Sequence, residues 1–291
     1  MTERPATPRL VGRRADVSGP GLSGAVTDLV ADCAPDLDEA LVVPDCHYPF
    51  HPSTGMVTNP DVVEALVEAL AASADVTLAL PDSEWVQNAP SMLGYEDVAD
   101  RTGADTLALG EAETVERVVR TDDERHTVTV PAPLDERPVV AVPTLRADPD
   151  LAAAMVTVAE AATGSRATTD VVAASAVVDP DFVLLDGTYT YTGAPHRARF
   201  LVAGTDAPAV DRAVAPVAGL KPKQVPYLRP FGVGREAIEG LHAEDLAAEL
   251  PHETTDPNGG EMPEIMGTGF RLYAKVTGDL VPPQFTGGSD D

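Results

Sequence analysis

The sequence predicts an α/β protein with a mainly parallel sheet, doubly wound in the Rossmann-like manner, with helices on both faces. Short apolar runs alternate with longer segments in which apolar residues recur at helical spacing. The stretch from Ala40 to Leu80 is the clearest unit, because a strand, a polar loop, a helix and a second strand imply a parallel pair joined by a crossover. Hydrophobic residues make up 44% of the chain, which is enough for a packed core.

Further elements follow from the same patterns. Asn59 and Pro60 predict the start of a helix, with Asn as the cap and Pro in the first turn. The segments 113–120 and 125–130 flank a turn and predict an antiparallel hairpin with one wet face. Strands are predicted at 40–44, 75–80, 105–109, 138–142, 182–185 and 199–203. Helices are predicted at 21–33, 60–73, 89–93, 95–102, 149–163, 168–177, 207–217 and 242–249.

Composition along the chain predicts three regions. Residues 1–20 are expected to form a flexible arm. Residues 21–250 form the α/β domain, which could divide into lobes of about 21–145 and 146–250. Residues 251–291 are rich in Pro and Gly, so we expect an extended tail with one strand at 269–276.

The charge of the chain indicates its solvent. It carries 47 Asp and Glu against 20 Lys and Arg, a formal net charge of −27. Such self-repulsion opposes a compact state unless concentrated salt screens it. We therefore interpret the chain as a cytoplasmic protein of an extreme, archaeal-type halophile.

Composition also bears on partners. We expect no nucleic-acid partner, because phosphate contacts need Lys and Arg and the chain is strongly negative. No membrane span is expected, because no apolar run reaches about 18 residues. Export is not expected either, because the start of the sequence shows no apolar signal core. The two cysteines cannot hold an iron–sulfur cluster from this chain alone. The oligomeric state is left open.

The loop after the first buried strand carries metal-binding chemistry. His47 and His51, together with Cys46 or Asp45, lie close together there and offer ligands for a divalent transition metal. Two alternatives remain: an ordinary surface loop held by Pro49 and Pro52, or a loop whose histidines bind a substrate.

Polar residues also follow the later strands, where ligands of parallel sheets bind. Asp186 could act as a general base, a metal ligand or an anchor for the next turn. Thr205 or Asp206 could cap a helix or start an anion site. Asp211 could project back from that helix into the same cleft.

Two cations complete the list of candidate binding residues. Arg146 could hold a carboxylate or phosphate of a small-molecule ligand. Lys221, with Lys223, could meet an acidic ligand, although a solvated loop would look the same.

An ordered set of short motifs, from about residue 40 to 228, resembles the domain-of-unknown-function family 362, an uncharacterised group often fused to ferredoxin-like modules. The motifs are Thr58-Asn-Pro60, Leu93-Gly94-Tyr95, Asp186-Gly187, Gly193-Ala-Pro195, Val202-Ala-Gly-Thr-Asp206, Ala209-Val-Asp211 and Gly219-Leu220. Two basic motifs depart from the family. Pro44-Asp45-Cys46 replaces a Lys-Pro-Asn, and Thr144-Leu-Arg-Ala-Asp148 replaces a Lys-x-Lys-Thr-His stretch. If those groups work in the family, the resemblance implies a lost or changed activity here.

Three functions are compatible with the sequence. The first is an enzyme acting on a small anionic metabolite, with His47, Asp186, Asp206 and Arg146 converging in one cleft. The second is a non-catalytic binding or accessory protein that keeps the family fold without its basic site. The third is a redox-linked partner of an iron–sulfur protein.

Overall fold

The computed structural model describes residues 8–47, 50–81, 93–121, 124–147, 150–234 and 236–250. Within these ranges the chain forms a ten-stranded sheet, a separate hairpin and several helices. The strands are β1 Leu10–Arg14, β2 Glu39–Pro44, β3 Asp75–Leu80, β4 Asp105–Ala108, β5 Thr114–Thr121, β6 Glu124–Pro131, β7 Val139–Val142, β8 Thr144–Ala147, β9 Leu151–Ala152, β10 Phe182–Thr192, β11 Pro195–His196 and β12 Phe200–Gly204. The helices are α1 Gly19–Cys33, α2 Pro60–Leu70, α3 Tyr95–Thr102, α4 Ala132–Glu136, α5 Ala154–Thr163, α6 Thr168–Ser175, α7 Ala207–Val214 and α8 Ala243–Glu249.

The large sheet is mostly parallel, as predicted. Its main path runs β1-β12-β10-β7-β2-β3-β4. Every pair from β10 to β4 along this path is parallel. Beyond the end of β7, the chain continues as β8, which also pairs in parallel with β10, and β9 returns antiparallel to β8. The predicted hairpin is confirmed as β5 and β6, which pair antiparallel in their own sheet.

The orientation of β12 corrects the sequence prediction. We expected the end of this strand at the same edge as the other strand ends, but β12 is antiparallel to β10. The reason is the connection, because Thr192 to Phe200 is shorter than the roughly dozen residues that a parallel crossover needs. The register pairs Val183 with Gly204, so β12 ends beside the start of β10.

The prediction of a flexible arm at residues 1–20 is wrong for most of residues 8–20, the part that the structure describes. Leu10 and Val11 are buried, and β1 pairs antiparallel with β12. The outer side of β1 is covered in turn, since Gly12 N donates to Glu239 O (2.7 Å) and Glu239 N donates to Leu10 O (2.8 Å). Apolar side chains in an edge strand explain why this segment is held in the sheet rather than in solvent.

Other boundaries also differ from the predictions. The sheet crosses residue 145, with β7 pairing on both sides, so the two predicted lobes share one sheet. Within the predicted helix 149–163, β9 at Leu151–Ala152 precedes α5, which starts at Ala154, and β10 runs on to Thr192. Helices α2, α6 and α7 end two or three residues earlier than expected. The predicted helix at 89–93 and the predicted tail with its strand lie outside the described residues.

Two apolar clusters lie on either side of the sheet, because side chains alternate along each strand. Val42 belongs to the cluster with α1, α2 and α3. Val43 belongs to the cluster with α5, α6 and α7. Among the described helices, none has the length and apolarity to cross a membrane.

Candidate functional site

Two carboxylates flank the end of β7 at the carboxyl edge of the parallel strands. Asp45 N donates to Val142 O (3.2 Å), and Asp186 N donates to Pro143 O (2.7 Å). Both side chains are buried. The expectation that these strand ends meet at one edge therefore holds for Asp45 and Asp186.

The two carboxylates face opposite sides of the sheet. Asp186 turns towards the start of α2, where Asn59 N donates to its Oδ2 (2.7 Å) and Thr188 N to its Oδ1 (2.7 Å). Burial raises the pKa of Asp186 to about 6, against the opposing effect of these hydrogen bonds. Asp186 thus anchors the α2 loop and does not share a cleft with His47.

Asp45 turns towards α5 and joins a buried charged cluster, which consists of Asp45, His47, Arg146 and Glu160. Arg146 Nη2 lies 2.5 Å from Asp45 Oδ2 and 3.3 Å from Glu160 Oε2. His47 Nδ1 lies 3.1 Å from Asp45 Oδ1 and 3.4 Å from Glu160 Oε2. The His47 side chain is 11% exposed, and the other three are at most 4% exposed. The structure therefore brings His47 and Arg146 together, as predicted, around two acids.

Charge in this cluster is balanced internally. Arg166 Nε approaches Glu160 Oε1 at 2.5 Å, so each carboxylate has a guanidinium partner. Burial alone would raise the pKa of Asp45, but Arg146 and His47 outweigh it and lower that pKa. Because Arg146 is committed to Asp45 and Glu160, it is not placed to clamp a ligand carboxylate.

A metal could use three groups of this cluster. One ligand atom each from Asp45, His47 and Glu160 lie within 4.8 Å of one another. Arg146 donates to oxygens of both carboxylates, however, so a divalent cation would meet a positive group already in place. The donor set fits a metal by residue type, whereas its charge balance does not favour one.

The predicted metal set of Cys46, His47 and His51 does not come together among the described residues. Cys46 packs in the cluster on the other face of the sheet, and burial raises the pKa of its thiol well above the usual range. His51 is exposed, and its Nδ1 accepts from Ser53 N (3.2 Å) at a 3-10 turn. Strand alternation separates Cys46 from Asp45, and the turn holds His51 locally.

Asp206 and Asp211 serve helix starts. The Asp206 carboxylate accepts from Ala209 N (2.8 Å) and caps α7, with Thr205 just before it. This cap lies at the opposite edge of the sheet from Asp186, because β12 is antiparallel, so Asp206 and Thr205 do not join a shared cleft.

Asp211 is buried and bonds to the start of α5. Its carboxylate accepts from Ala154 N (2.8 Å), Met155 N (3.2 Å) and Tyr227 Oη (3.1 Å). Burial raises the pKa of Asp211 to about 7, partly offset by these hydrogen bonds. Ala153 has no side-chain group to cap α5, so Asp211 supplies the acceptor from a neighbouring helix.

Lys221 and Lys223 lie at a 3-10 turn and are exposed. Lys221 N donates to Gln224 Oε1 (2.9 Å), which is a local turn contact. The structure thus places Lys221 with a solvated loop, one of the two alternatives left open by the sequence.

A second polar site lies at the end of β1, and we call it the arginine groove. It is an open groove of about 710 Å³, lined chiefly by Arg14, Arg197, Arg199, Asp16, Glu249 and Gly21. Arg197 and Arg199 are exposed, and neither forms an ion pair with a described residue. In a chain of net charge −27, three arginines in one groove make a local reversal of sign.

The backbone around the arginine groove supports an anion site. The first turn of α1 is Gly19, Pro20 and Gly21, it contains no acid, and Ser18 makes no side-chain cap. N–H groups at a helix start attract anions, and the carboxylate already beside this turn is that of Asp16, which lies against Gly21. Arg199 has φ +59°, the only positive value at a non-glycine described residue. A strained backbone that keeps an arginine, where glycine would fit without strain, suggests a use for the side chain.

No family model, curated protein or solved structure matches this chain. The resemblance to the family named above therefore stays a prediction. The buried charged cluster and the arginine groove are the two sites that bear on function.

Sequence reasoning missed Glu160 and the groove arginines. Glu160 is the one charged residue in the apolar helix α5, and an isolated acid in such a helix is a usable signal of a buried partner. Arg13 and Arg14 follow an apolar run, and Arg197 and Arg199 precede another. In so acidic a chain, arginines placed at both flanks of strands were a second usable signal.

Proposed function

We propose that the protein binds a small anionic metabolite in the arginine groove. The observation that carries this proposal is the convergence of Arg14, Arg197 and Arg199 on one open cavity in a strongly acidic protein. Guanidinium groups recognise carboxylates and phosphates through paired hydrogen bonds. The groove volume of about 710 Å³ is within the range of small-molecule sites.

The position of the groove fits the proposal. We take the fold to be doubly wound and Rossmann-like, in which ligands lie beyond the carboxyl ends of the strands. Since β1 and β10 are each antiparallel to β12, β1 runs parallel to β10. Arg14 is the last residue of β1 and therefore lies at the carboxyl edge of the parallel strands. Arg199 is fixed beside it, because Ala15 N donates to Arg199 O (3.0 Å).

Asp16 narrows the class of ligand. Its carboxylate lines the groove beside the first turn of α1. A bare anion gains nothing from this acid, whereas a hydroxyl or ammonium group on the same ligand would donate to it. The proposed ligand is therefore a hydroxylated or aminated carboxylate or phosphate ester. We propose that it binds in a cytoplasm of molar salt.

Calorimetric titration in molar KCl tests the proposal, with inorganic phosphate, citrate and glycerol phosphate as probes. We expect measurable binding to the wild type and about tenfold or greater weakening in Arg197→Gln, since a charge-assisted contact is lost. Arg199→Gly should weaken binding equally while keeping or raising stability, because glycine accepts the positive φ of +59° without strain.

Arg101→Gln is the matched control. Arg101 is an arginine of α3 that pairs with Glu64 and does not line the groove. It changes the net charge as much as the groove variants do, so its binding should equal that of the wild type. Wild-type protein that binds none of the three probes, or groove variants that bind like the wild type, would refute the proposal.

A second candidate, an acid–base enzyme, is favoured by the contact of His47 with Asp45. The carboxylate at 3.1 Å orients the imidazole and fixes its tautomer, as in hydrolase dyads. Against it, His47 Nε2 is buried and Arg146 is engaged by the two acids. Geometry therefore supports the binding function better.

The enzyme candidate has its own test. Metabolites that bind in the titrations would be incubated in D₂O, and the loss of their C–H signals followed by NMR. Exchange that His47→Asn reduces by about a hundredfold or more, with binding unchanged, would establish proton transfer by His47. His126→Asn on the hairpin is the control, and exchange that is absent or unaffected by His47→Asn would exclude this role.

A further inference from the structure

We infer that Glu249 is a built-in competitor for the arginine groove, occupying the Arg14 guanidinium until an anionic ligand displaces it. This inference rests on the proposed function of the groove and names what sets its affinity. Glu249 is the last residue of α8, distant in sequence from Arg14 and pressed against it in space.

The contact has the geometry of a bound carboxylate ligand. Arg14 Nη1 donates to Glu249 Oε2 (2.8 Å), and Arg14 Nη2 donates to Glu249 Oε1 (2.5 Å). This two-point arrangement is the one that arginine offers to carboxylates and phosphates. Arg14 is the groove arginine that binds a carboxylate in this way. Neither Arg197 nor Arg199 forms an ion pair with any residue that the structure describes.

The Glu249 contact is weak enough to exchange. The Arg14 and Glu249 side chains are 44% and 50% exposed, and exposed ion pairs contribute little to stability. The hydrogen bond from Arg14 lowers the pKa of Glu249, so the competitor is ionised at neutral pH. A ligand that makes three arginine contacts can therefore displace a carboxylate that makes one.

Helix α8 can lose this contact and keep its place. Its apolar residues Ala243 and Leu246, with Leu250 just beyond it, are buried in the cluster that includes α5 and α7. The Glu249 side chain, at the end of the helix, is the one that bonds to Arg14 of β1. Displacement thus requires a rotamer change of Glu249 and no movement of the helix body, which keeps its cost low.

Because of this competition, the affinity of the arginine groove for its ligand depends on Glu249, which lies outside the ligand's other contacts. A carboxylate on the same chain is present at high effective concentration regardless of ligand level. The groove then fills only when the ligand displaces Glu249 from Arg14. This competition raises the ligand concentration at which the groove becomes occupied. Removing the charge of Glu249 should tighten binding, although the variant makes no new contact with the ligand.

The test is titration of phosphate and citrate in molar KCl into the wild type, Glu249→Gln, Asp245→Asn, Arg14→Gln and the Arg14→Gln Glu249→Gln double variant. Glu249→Gln should tighten binding roughly two- to fivefold, the worth of an exposed ion pair. Asp245→Asn removes the same charge from the same helix; Asp245 raises the pKa of Arg14 through its charge but makes no ion pair with it, so this variant should tighten binding less than Glu249→Gln does. In the Arg14→Gln background, Glu249→Gln should have no effect, because the two residues act as a pair.

The outcomes separate this inference from the proposed function. A wild type that binds while Glu249→Gln binds equally well overturns the competitor and leaves the groove function standing. Equal tightening in Asp245→Asn and Glu249→Gln also overturns it, because net charge alone would explain the gain. Absence of binding in both the wild type and Glu249→Gln overturns the groove function and the competitor together.

Discussion

Single residues decide whether the buried charged cluster is stable. Arg146 contacts both Asp45 and Glu160 while all three are almost fully buried. Removing one partner from such a cluster leaves an uncompensated charge in a low-dielectric interior. Arg146 is thus needed by the fold whatever the ligand is.

The Arg146→Met variant should therefore unfold far more easily than the wild type. We expect a loss of about 3–5 kcal/mol in the free energy of unfolding, because two buried carboxylates lose their shared cation. Urea denaturation at constant molar KCl measures it. Arg101→Gln breaks the exposed pair with Glu64 and should have a much smaller effect. Similar losses in the two variants would contradict the importance of burial.

At this scale, sequence reasoning worked where partners are local. Asn59 caps α2 by accepting from Asp61 N, and Asp206 caps α7 by accepting from Ala209 N. Both roles follow from residue type and spacing. Asp186 accepts from Asn59 N, which is 127 residues away in the sequence, so no local pattern could reveal that partner. The sequence singled out His47 and Arg146, which lie together in the buried cluster, but not Glu160, which contacts both.

At the scale of strands and helices, the direction of one strand explains why the residues of the predicted cleft lie at two different edges of the sheet. The strands and helices were mostly found from apolar periodicity, since both faces of the sheet are covered. The error lay in direction, because β12 returns antiparallel after a short connection and carries Asp206 to the far edge. Connection length was visible in the sequence and would have corrected the prediction. The burial of β1 was not visible, because a single short apolar run carries little information.

One glycine shows how closely elements approach. Gly55 has φ +69°, and a Cβ there would lie 2.2 Å from the Thr190 carbonyl carbon of β10. Gly103, which ends α3, has φ +73° and no atom within 4 Å of such a Cβ. The two sites therefore share backbone strain and differ in crowding.

Gly103→Ala should lower the free energy of unfolding by about 1–2 kcal/mol, the strain of a left-handed alanine. Gly55→Ala should lose about 1–3 kcal/mol more, because the loop must move off β10. Thermal and urea unfolding of the two variants gives the difference directly. Equal losses would mean that the loop yields without cost to β10.

The whole molecule is governed by its net charge of −27. Repulsion among its acids extends about 10 Å at 0.1 M salt and about 3 Å at 1 M. The sequence predicted this property fully, because net charge needs no structure. It could not predict that the local exception, the arginine groove, gathers residues from β1, from the 197–199 connection and from α8.

The free energy of unfolding should rise with KCl, steeply up to about 1 M and slowly beyond, in step with the screening length. Urea denaturation at a series of KCl concentrations measures this dependence. Sorbitol in place of KCl should not reproduce the steep phase, because it does not screen charge. A stability that is flat from 0.1 to 1 M KCl would contradict the expectation.

The segment around Glu239, hydrogen-bonded along β1, bears on self-association. Growth of a fibril by edge-to-edge stacking needs a free donor–acceptor row at both margins of every copy. Here the segment around Glu239 already takes the outward N–H of Gly12 and the outward carbonyl of Leu10, so β1 is a poor place for a second copy to pair. This cover depends on backbone hydrogen bonds and not on charge, so it remains when concentrated salt removes the electrostatic protection of the chain.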